Sequence, residues 1–253
     1  MKSNILLPFF TLVLGTVASP APIPNPNDPT ATTNNPTPCT FTLTPGSGFR
    51  ISTKCVPTNC AGVQAIGVTR NDLLDGPCKP LTLIFARGTT EGGNIGNIVG
   101  PPFIDALNSQ LSSAQIAVQG VNDYPADIAG FNEGGSPSGS KNMAQLIKLA
   151  KSRCPHTKLC VSGYSQGAQV AHNAANMISQ AETDFINSAV LWGDPDDGAP
   201  FGRVPARKVS TDCHFGDDIC LHGNLVLPPH QDYCLDAQQE ASFVVQRSGL
   251  RKA

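Results

Sequence analysis

The sequence predicts an α/β fold of three layers, a mostly parallel central sheet with helices on both faces. Three observations predict it. From Cys78 onward, short apolar runs alternate with stretches of helical periodicity. The runs are apolar at successive rather than alternate positions, as in strands buried on both faces. Their order, strand and helix in turn, calls for crossovers that bring each new strand back parallel to the last.

The strands are read at Leu81 to Ala86, Ile116 to Val121, Lys158 to Gly163, Ser188 to Trp192 and Lys208 to Ser210. Between them, Phe103, Ala106, Leu107 and Leu111 share one face of a helix that starts at Pro101-Pro102, where a missing N–H costs nothing. Met143, Leu146, Ile147 and Ala150 form the inner face of a second helix before Arg153-Cys154-Pro155. A third spans Gln166 to Gln180, with Val170, Ala174 and Met177 on one stripe. The last runs near Asp236 to Ser248, and Asp236 stands three residues before Gln239, the spacing of a capping box.

Ahead of this domain, assigned to residues 61–253, the chain reads differently. Residues 1–19 have the layout of a secretory signal peptide: Lys2, an apolar stretch from Ile5 to Val17, then small residues. Pro8 and the short apolar run argue against a membrane-spanning helix. Residues 20–38, rich in Pro, Asn and Thr, bury too little to offset the entropy of ordering and are expected to be a disordered leader. Residues 39–60 contain a hairpin in which Phe41 and Leu43 face Phe49 and Ile51 across PGSG. Pairing Leu43 with Ile51 sets Cys39 opposite Cys55, where a bridge would clamp the open end.

Only 14% of the 253 residues are charged and the net charge is -2, which excludes an electrostatic footprint for nucleic acid or an anionic membrane. Nine cysteines in a secreted chain imply disulfides, and no Cys/His cluster has zinc-site spacing. The odd thiol falls to Cys160, inside the strand-like KLCVSG, where cysteine acts as a small buried hydrophobe. No metal or cofactor is expected, and the protein is expected to be a monomer.

Chemistry is signalled by GYSQG, residues 163–167, a G-x-S-x-G turn between a strand and a helix. Small residues on either side allow the sharp turn that lifts Ser165 above the sheet edge as a nucleophile. A serine so used needs a base, and of the five histidines only His230 immediately precedes the final helix. The acid is open on spacing alone: Asp217 and Asp218 lie in CHFGDDIC, between Cys213 and Cys220, while Asp194 follows a strand directly. Oxyanion donors are expected from the backbone of Gln166 and from the Gly-rich FARGTTEGGNIG after the first strand. That loop is no phosphate cradle, since GxxxxGK[ST] is lacking.

LIFARGTTEGGNIG, CPHTKLCVSGYSQGAQV, CHFGDDIC, and LVLPPHQDY with DAQQEASFVV occur in that order over about residues 78–248. Together they resemble the cutinase family, secreted fungal serine esterases that share their fold with fungal acetylxylan esterases. The resemblance implies a lidless α/β-hydrolase with Ser165 as nucleophile, Asp217 as acid and His230 as base. It carries the oxyanion hole onto Thr89 and Gln166, and disulfides onto Cys78–Cys154 and Cys213–Cys220.

The sequence departs from the family pattern at four places. Thr89 replaces the usual serine of ARGST, keeping the hydroxyl and adding a methyl. Cys234 replaces a glycine and invites a further bridge, for which Cys60 is the candidate. The spacing around Leu225, Val226 and Leu227, the expected apolar wall for an acyl chain, is altered. The hairpin has no counterpart in the smaller family members. The expected substrate is cutin or a similar short to medium acyl ester at a polymer or lipid-like surface. Acetylxylan deacetylation and a non-catalytic secreted surface-binding protein are the alternatives.

Overall fold

Short runs dominated by aliphatic and β-branched residues have no solvent-facing side to offer, and the sheet they form is covered on both faces. The computed structural model describes residues 67–252. The signal-like segment 1–19, the leader 20–38, and the hairpin of 39–60 with its Cys39–Cys55 bridge lie outside the described residues. Five strands, β1 (Leu81–Ala86), β2 (Ile116–Gly120), β3 (Lys158–Tyr164), β4 (Ile186–Trp192) and β5 (Val209–Asp212), form one sheet in the order β2-β1-β3-β4-β5. Every pairing is parallel, with Leu81 opposite Ile116 on one side and Lys158 on the other. β1 and β2 are buried throughout, whereas β5 at the edge is only partly so.

Seven α-helices are described: α1 (Asp72–Asp75), α2 (Gly100–Gln110), α3 (Ile128–Asn132), α4 (Pro137–Arg153), α5 (Gln166–Met177), α6 (Gln180–Phe185) and α7 (Ala237–Ser248). Alternate strand residues feed two separate cores. Leu81, Leu83 and Phe85 pack with Phe103 and Leu107 of α2 and Ala241 and Val244 of α7. Ile84 and Ala86 pack with Met143 and Ile147 of α4 and Val170 and Ala174 of α5. The three-layer arrangement read from the sequence is the one observed.

Two local readings need correction. The third helix ends at Met177, not Gln180, and Met177 is 52% exposed rather than part of the buried stripe. The cause is a capping box at Ser179: its Oγ accepts from Glu182 N–H and Glu182 Oε2 accepts from Ser179 N–H, so α6 starts instead. At Asp236 the predicted capping box does not form; its side chain makes no cap bond, and Oδ2 lies 2.6 Å from His214 Nε2. A charged ring donor outcompetes a backbone N–H for a carboxylate.

Cys78–Cys154 ties the residues before β1 to the end of α4, and Cys213–Cys220 closes the loop after β5. In the chain-entropy view a bridge spanning a long segment such as the first is worth about 4 kcal/mol. Cys160 is free and buried, and burial pushes its thiol pKa up to about 12, so it stays an unreactive core thiol. Cys234 is disulfide-bonded. The suggested partner, Cys60, lies outside the described residues.

Phe103 is fully buried and meets the indole of Trp192 edge to face, with centroids 5.1 Å apart. Truncation leaves a cavity between α2 and the sheet. Phe103→Ala should lower unfolding free energy by about 3–5 kcal/mol in urea titration, with little change in slope. A loss below about 1 kcal/mol would contradict the packing described.

Candidate active site

In the order β2-β1-β3-β4-β5 the chain winds one way from β1 to β2 and the other way from β3 onward. The crossovers diverge at the carboxyl ends of β1 and β3, leaving a crevice there. Thr89 follows β1 and Ser165 follows β3. Asp217 and His230 lie on the connection between β5 and α7.

Ser165 sits at the N-cap of α5 with φ 56° and ψ −123°, a conformation costly for a residue with a side chain. Contacts on both sides impose it. Its N–H donates to Trp192 O (2.9 Å) and its carbonyl accepts from Ala168 N–H (2.8 Å). The flanking glycines are steric necessities, for a Cβ on Gly163 would lie 2.1 Å from Gly167 O, and one on Gly167 would lie 2.1 Å from Ala86 O. The turn passes so close to β1 that only glycine fits.

His230 and Asp217 form a buried pair, each 1% exposed. His230 Nδ1–H donates to Asp217 Oδ2 (2.8 Å), and the Tyr233 hydroxyl donates to the same oxygen (2.6 Å). Ile219 N–H donates to Oδ1 (3.0 Å). Burial disfavours the charged carboxylate, but the bonds from His230, Tyr233 and Ile219 outweigh it and hold Asp217 below the usual aspartate pKa. Tyr164 holds both the ring and the backbone of His230: it stacks on the imidazole with centroids 5.1 Å apart, and its hydroxyl donates to His230 O (2.7 Å). With Nδ1 protonated, Nε2 carries the lone pair. Nε2 is buried and makes no hydrogen bond, so the structure pairs His230 with Asp217 but does not bond it to Ser165.

Of the carboxylates left open by spacing, Asp218 holds the following loop, its Oδ2 accepting from Leu225 N–H (2.9 Å). Asp194 is 1% exposed and bound to His172 Nε2 (2.8 Å) of α5. Among the described residues two triplets bring ligand-type atoms within 4.8 Å of one another, His172 with Asp194 and Asp196, and Asp212 with His214 and Asp236. In each the imidazole nitrogen is already hydrogen-bonded to a carboxylate, which makes them ion pairs.

The loop after β1 is organised by Glu91, which lies inside the quoted Gly-rich stretch but carried no signal of its own role. It is 8% exposed; Oε2 accepts from Gly88 N–H (2.7 Å), and Oε1 from Asn97 and Ile98 N–H (2.8 Å each). Burial raises its pKa despite these bonds. Arg87 Nε donates to Glu91 O (2.6 Å) and its guanidinium lies over the Tyr124 ring, 4.9 Å from the centroid. Thr89 is thereby presented beside α5, where Gln166 Nε2 donates to Thr89 Oγ1 (3.0 Å) and to Asp127 O (2.7 Å). The Thr89 hydroxyl, used as an acceptor here, keeps its own hydrogen to donate elsewhere. As the first residue of α5, Gln166 has an N–H with no intrahelical partner. Leu225 and Val226 are each 58% exposed and Leu227 is half-buried, so the first two do not serve the core.

The His172–Asp194 pair joins α5 to the loop after β4. Burial lowers the His172 pKa, but the Asp194 bond and charge more than compensate and raise it above the ordinary 6.5. A raised histidine contributes stability that is fully present below its unfolded pKa and lost as pH rises through the folded one. Asp194→Ala should therefore cost about 3 kcal/mol near pH 6, with the deficit narrowing toward alkaline pH in urea midpoints. A constant deficit would contradict the linkage.

The family model for Cutinase matches residues 77–248. A cutinase of Botryotinia fuckeliana is 49% identical over 173 residues, covering 68% of this chain and 85% of that protein. A solved Trichoderma reesei cutinase in complex with a phosphonate inhibitor is similar at a TM-score of 0.69 and 43% identity, over 75% of this chain and 84% of that one. An acetylxylan esterase structure shares the fold at a TM-score of 0.54 and 22% identity, over 68% of this chain and 100% of the other. A parallel sheet with a strained serine at its crevice, a buried His–Asp pair beside it and matches of this extent have one reading: the chain belongs to the cutinase family of serine carboxylic ester hydrolases.

Proposed function

We propose that this protein is a secreted enzyme that cleaves cutin or similar apolar acyl esters through Ser165, His230 and Asp217, with Thr89 and Gln166 as oxyanion donors. The observation that carries the reading is the buried His230 Nε2, whose other nitrogen is held by Asp217 at 2.8 Å and which itself has no partner. Ser165 Oγ attacks the ester carbonyl carbon while its proton passes to Nε2. The C=O electrons move onto oxygen, which is met by N–H of Thr89 and Gln166 and by the Thr89 hydroxyl. Collapse of this intermediate expels the alcohol, which takes the proton from His230. Water then attacks the acyl-enzyme by the same steps and releases the acid and free serine.

Exposed Leu225, Val226 and, on α3, Ile128 support an apolar acyl group presented at a surface. The disulfides Cys78–Cys154 and Cys213–Cys220 support an oxidising, extracellular destination, as the signal-like N-terminus does. Among the described residues no helix is long and apolar enough to cross a membrane.

A fluorophosphonate probe should form its adduct on Ser165, located by peptide mass spectrometry. Ser165→Ala should lose both label and hydrolysis at unchanged melting temperature, and Asp217→Asn should lower kcat by ~10⁴-fold. Labelling elsewhere, or a wild-type labelling rate in Asp217→Asn, would overturn the assignment. On p-nitrophenyl esters, longer acyl chains should be cleaved faster than acetate; a preference for acetate with turnover of acetylated xylan would move the substrate to deacetylation.

A further inference from the structure

We infer that His214 is a positioning residue for this reaction, an imidazolium clasp that locks the loop bearing Asp217 to the loop bearing His230. The inference rests on the catalytic reading above. His214 follows Cys213 in the disulfide loop, and its carbonyl accepts from Asp217 N–H (3.0 Å). Its ring reaches across to the other loop. Nδ1 lies 3.0 Å from Pro229 O, the residue before His230, and 2.8 Å from Asp232 Oδ1, two residues after it. Nε2 lies 2.6 Å from Asp236 Oδ2 and 3.9 Å from Asp212 Oδ1.

The partners dictate the protonation state. A carbonyl can only accept, so Nδ1 carries hydrogen, and Nε2 facing a carboxylate at 2.6 Å must carry one as well. The ring is therefore a cation donating on both sides. Its faces are used too: it packs on Tyr233 with centroids 4.1 Å apart, and its backbone N–H donates to the Tyr233 hydroxyl (3.0 Å). That hydroxyl donates to Asp217 Oδ2, the oxygen that holds His230. His214 thus touches no reacting atom, yet fixes the phenol and both loops that set the acid–base geometry.

The groups facing His214 are Asp212 at the end of β5, Asp232 and Asp236 before α7, and Tyr233; Glu240 of α7 and Asp217 lie behind Asp212 and Tyr233 respectively. Burial disfavours the charged ring, but the bonds to Asp232 and Asp236 and the charge of Asp212 lift its pKa to about 10. Asp212 in turn is pushed up to about 7 by burial and by Asp236. Being raised, the His214 contribution is complete below the ordinary imidazole range and is lost as pH rises through about 10.

The test compares full-length wild type, His214→Leu, and the double variant Asp232→Asn with Asp236→Asn. Each is assayed on a soluble short-chain p-nitrophenyl ester over neutral to strongly alkaline pH, with circular dichroism at each pH and fluorophosphonate labelling of Ser165. His214→Leu should lower kcat about ten- to a hundredfold at little change in KM, slow labelling in parallel, and lack the alkaline loss of kcat that wild type shows. The double variant should move that loss to lower pH, which a purely structural role would not do. It also carries the test alone where His214→Leu fails to fold. Wild-type kcat and an unmoved alkaline limb in the double variant, with Ser165 labelled normally, would overturn the clasp. Failure of wild type to label at Ser165 would instead overturn the catalytic reading beneath it.

Discussion

Asp217 carries its negative charge where 1% of the residue reaches solvent, and a carboxylate so placed stays ionised only if donors replace the water it has lost. Three do, from His230, Tyr233 and the Ile219 backbone, and each comes from an element that must be held in place to supply it. The disulfide Cys213–Cys220 closes the loop that carries the acid, Tyr164 grips the carbonyl and ring of His230, and Tyr233 is buried against Trp192 and His214. The requirement of one buried charge thus accounts for much of the order in the connection from β5 to α7. Without that order, a long loop with little regular structure would have no reason to hold one conformation.

The opposite wall of the crevice is governed by proximity rather than charge. Gly163 and Gly167 let the turn after β3 pass against the end of β1, and the same approach brings the first turn of α5 beside the loop of Thr89. Strain at Ser165 is the local cost of that approach. The hydrogen bonds to Trp192 and from Ala168, together with a well-packed α5, over-determine the turn and keep it from relaxing. Glu91 orders the Thr89 loop by gathering otherwise orphaned N–H groups into one buried centre.

What the sequence makes legible follows from the range of the interactions involved. Strands β1 to β4 are readable because burial on both faces leaves short, mostly apolar runs, α2 because a Pro-led start precedes a clear stripe, and α4 because its stripe runs up to Arg153-Cys154-Pro155. The serine turn is readable because its steric demands fall on residues two positions away. Asp236 stands at the N-cap of α7 but makes no cap bond, because its partner, His214, lies 22 residues earlier, and no local pattern reveals a competitor that distant. The choice among Asp194, Asp217 and Asp218 was closed to spacing for the same reason, since each forms its decisive bond with a residue on another element or further along the loop. No sequence pattern marks the roles of Glu91 and Tyr233, because a buried acceptor of backbone N–H groups and a phenol donating to a carboxylate leave no periodicity at all.

Three histidines here meet aspartates at hydrogen-bond distance, and the pairing alone does not mark a catalytic base. His172 gives Nε2 to Asp194, with the Pro200 backbone as a further partner, and joins α5 to the loop after β4. His214 gives both nitrogens to oxygen. A ring with both nitrogens engaged has no lone pair to offer and serves as a cationic staple. His230 differs in one respect: its carboxylate takes Nδ1 and nothing takes Nε2. Leaving a buried nitrogen unpaired costs free energy, which a hydroxyl donating to it would recover. That unbonded nitrogen, more than the Asp–His distance shared by all three pairs, separates the proposed base from the staples.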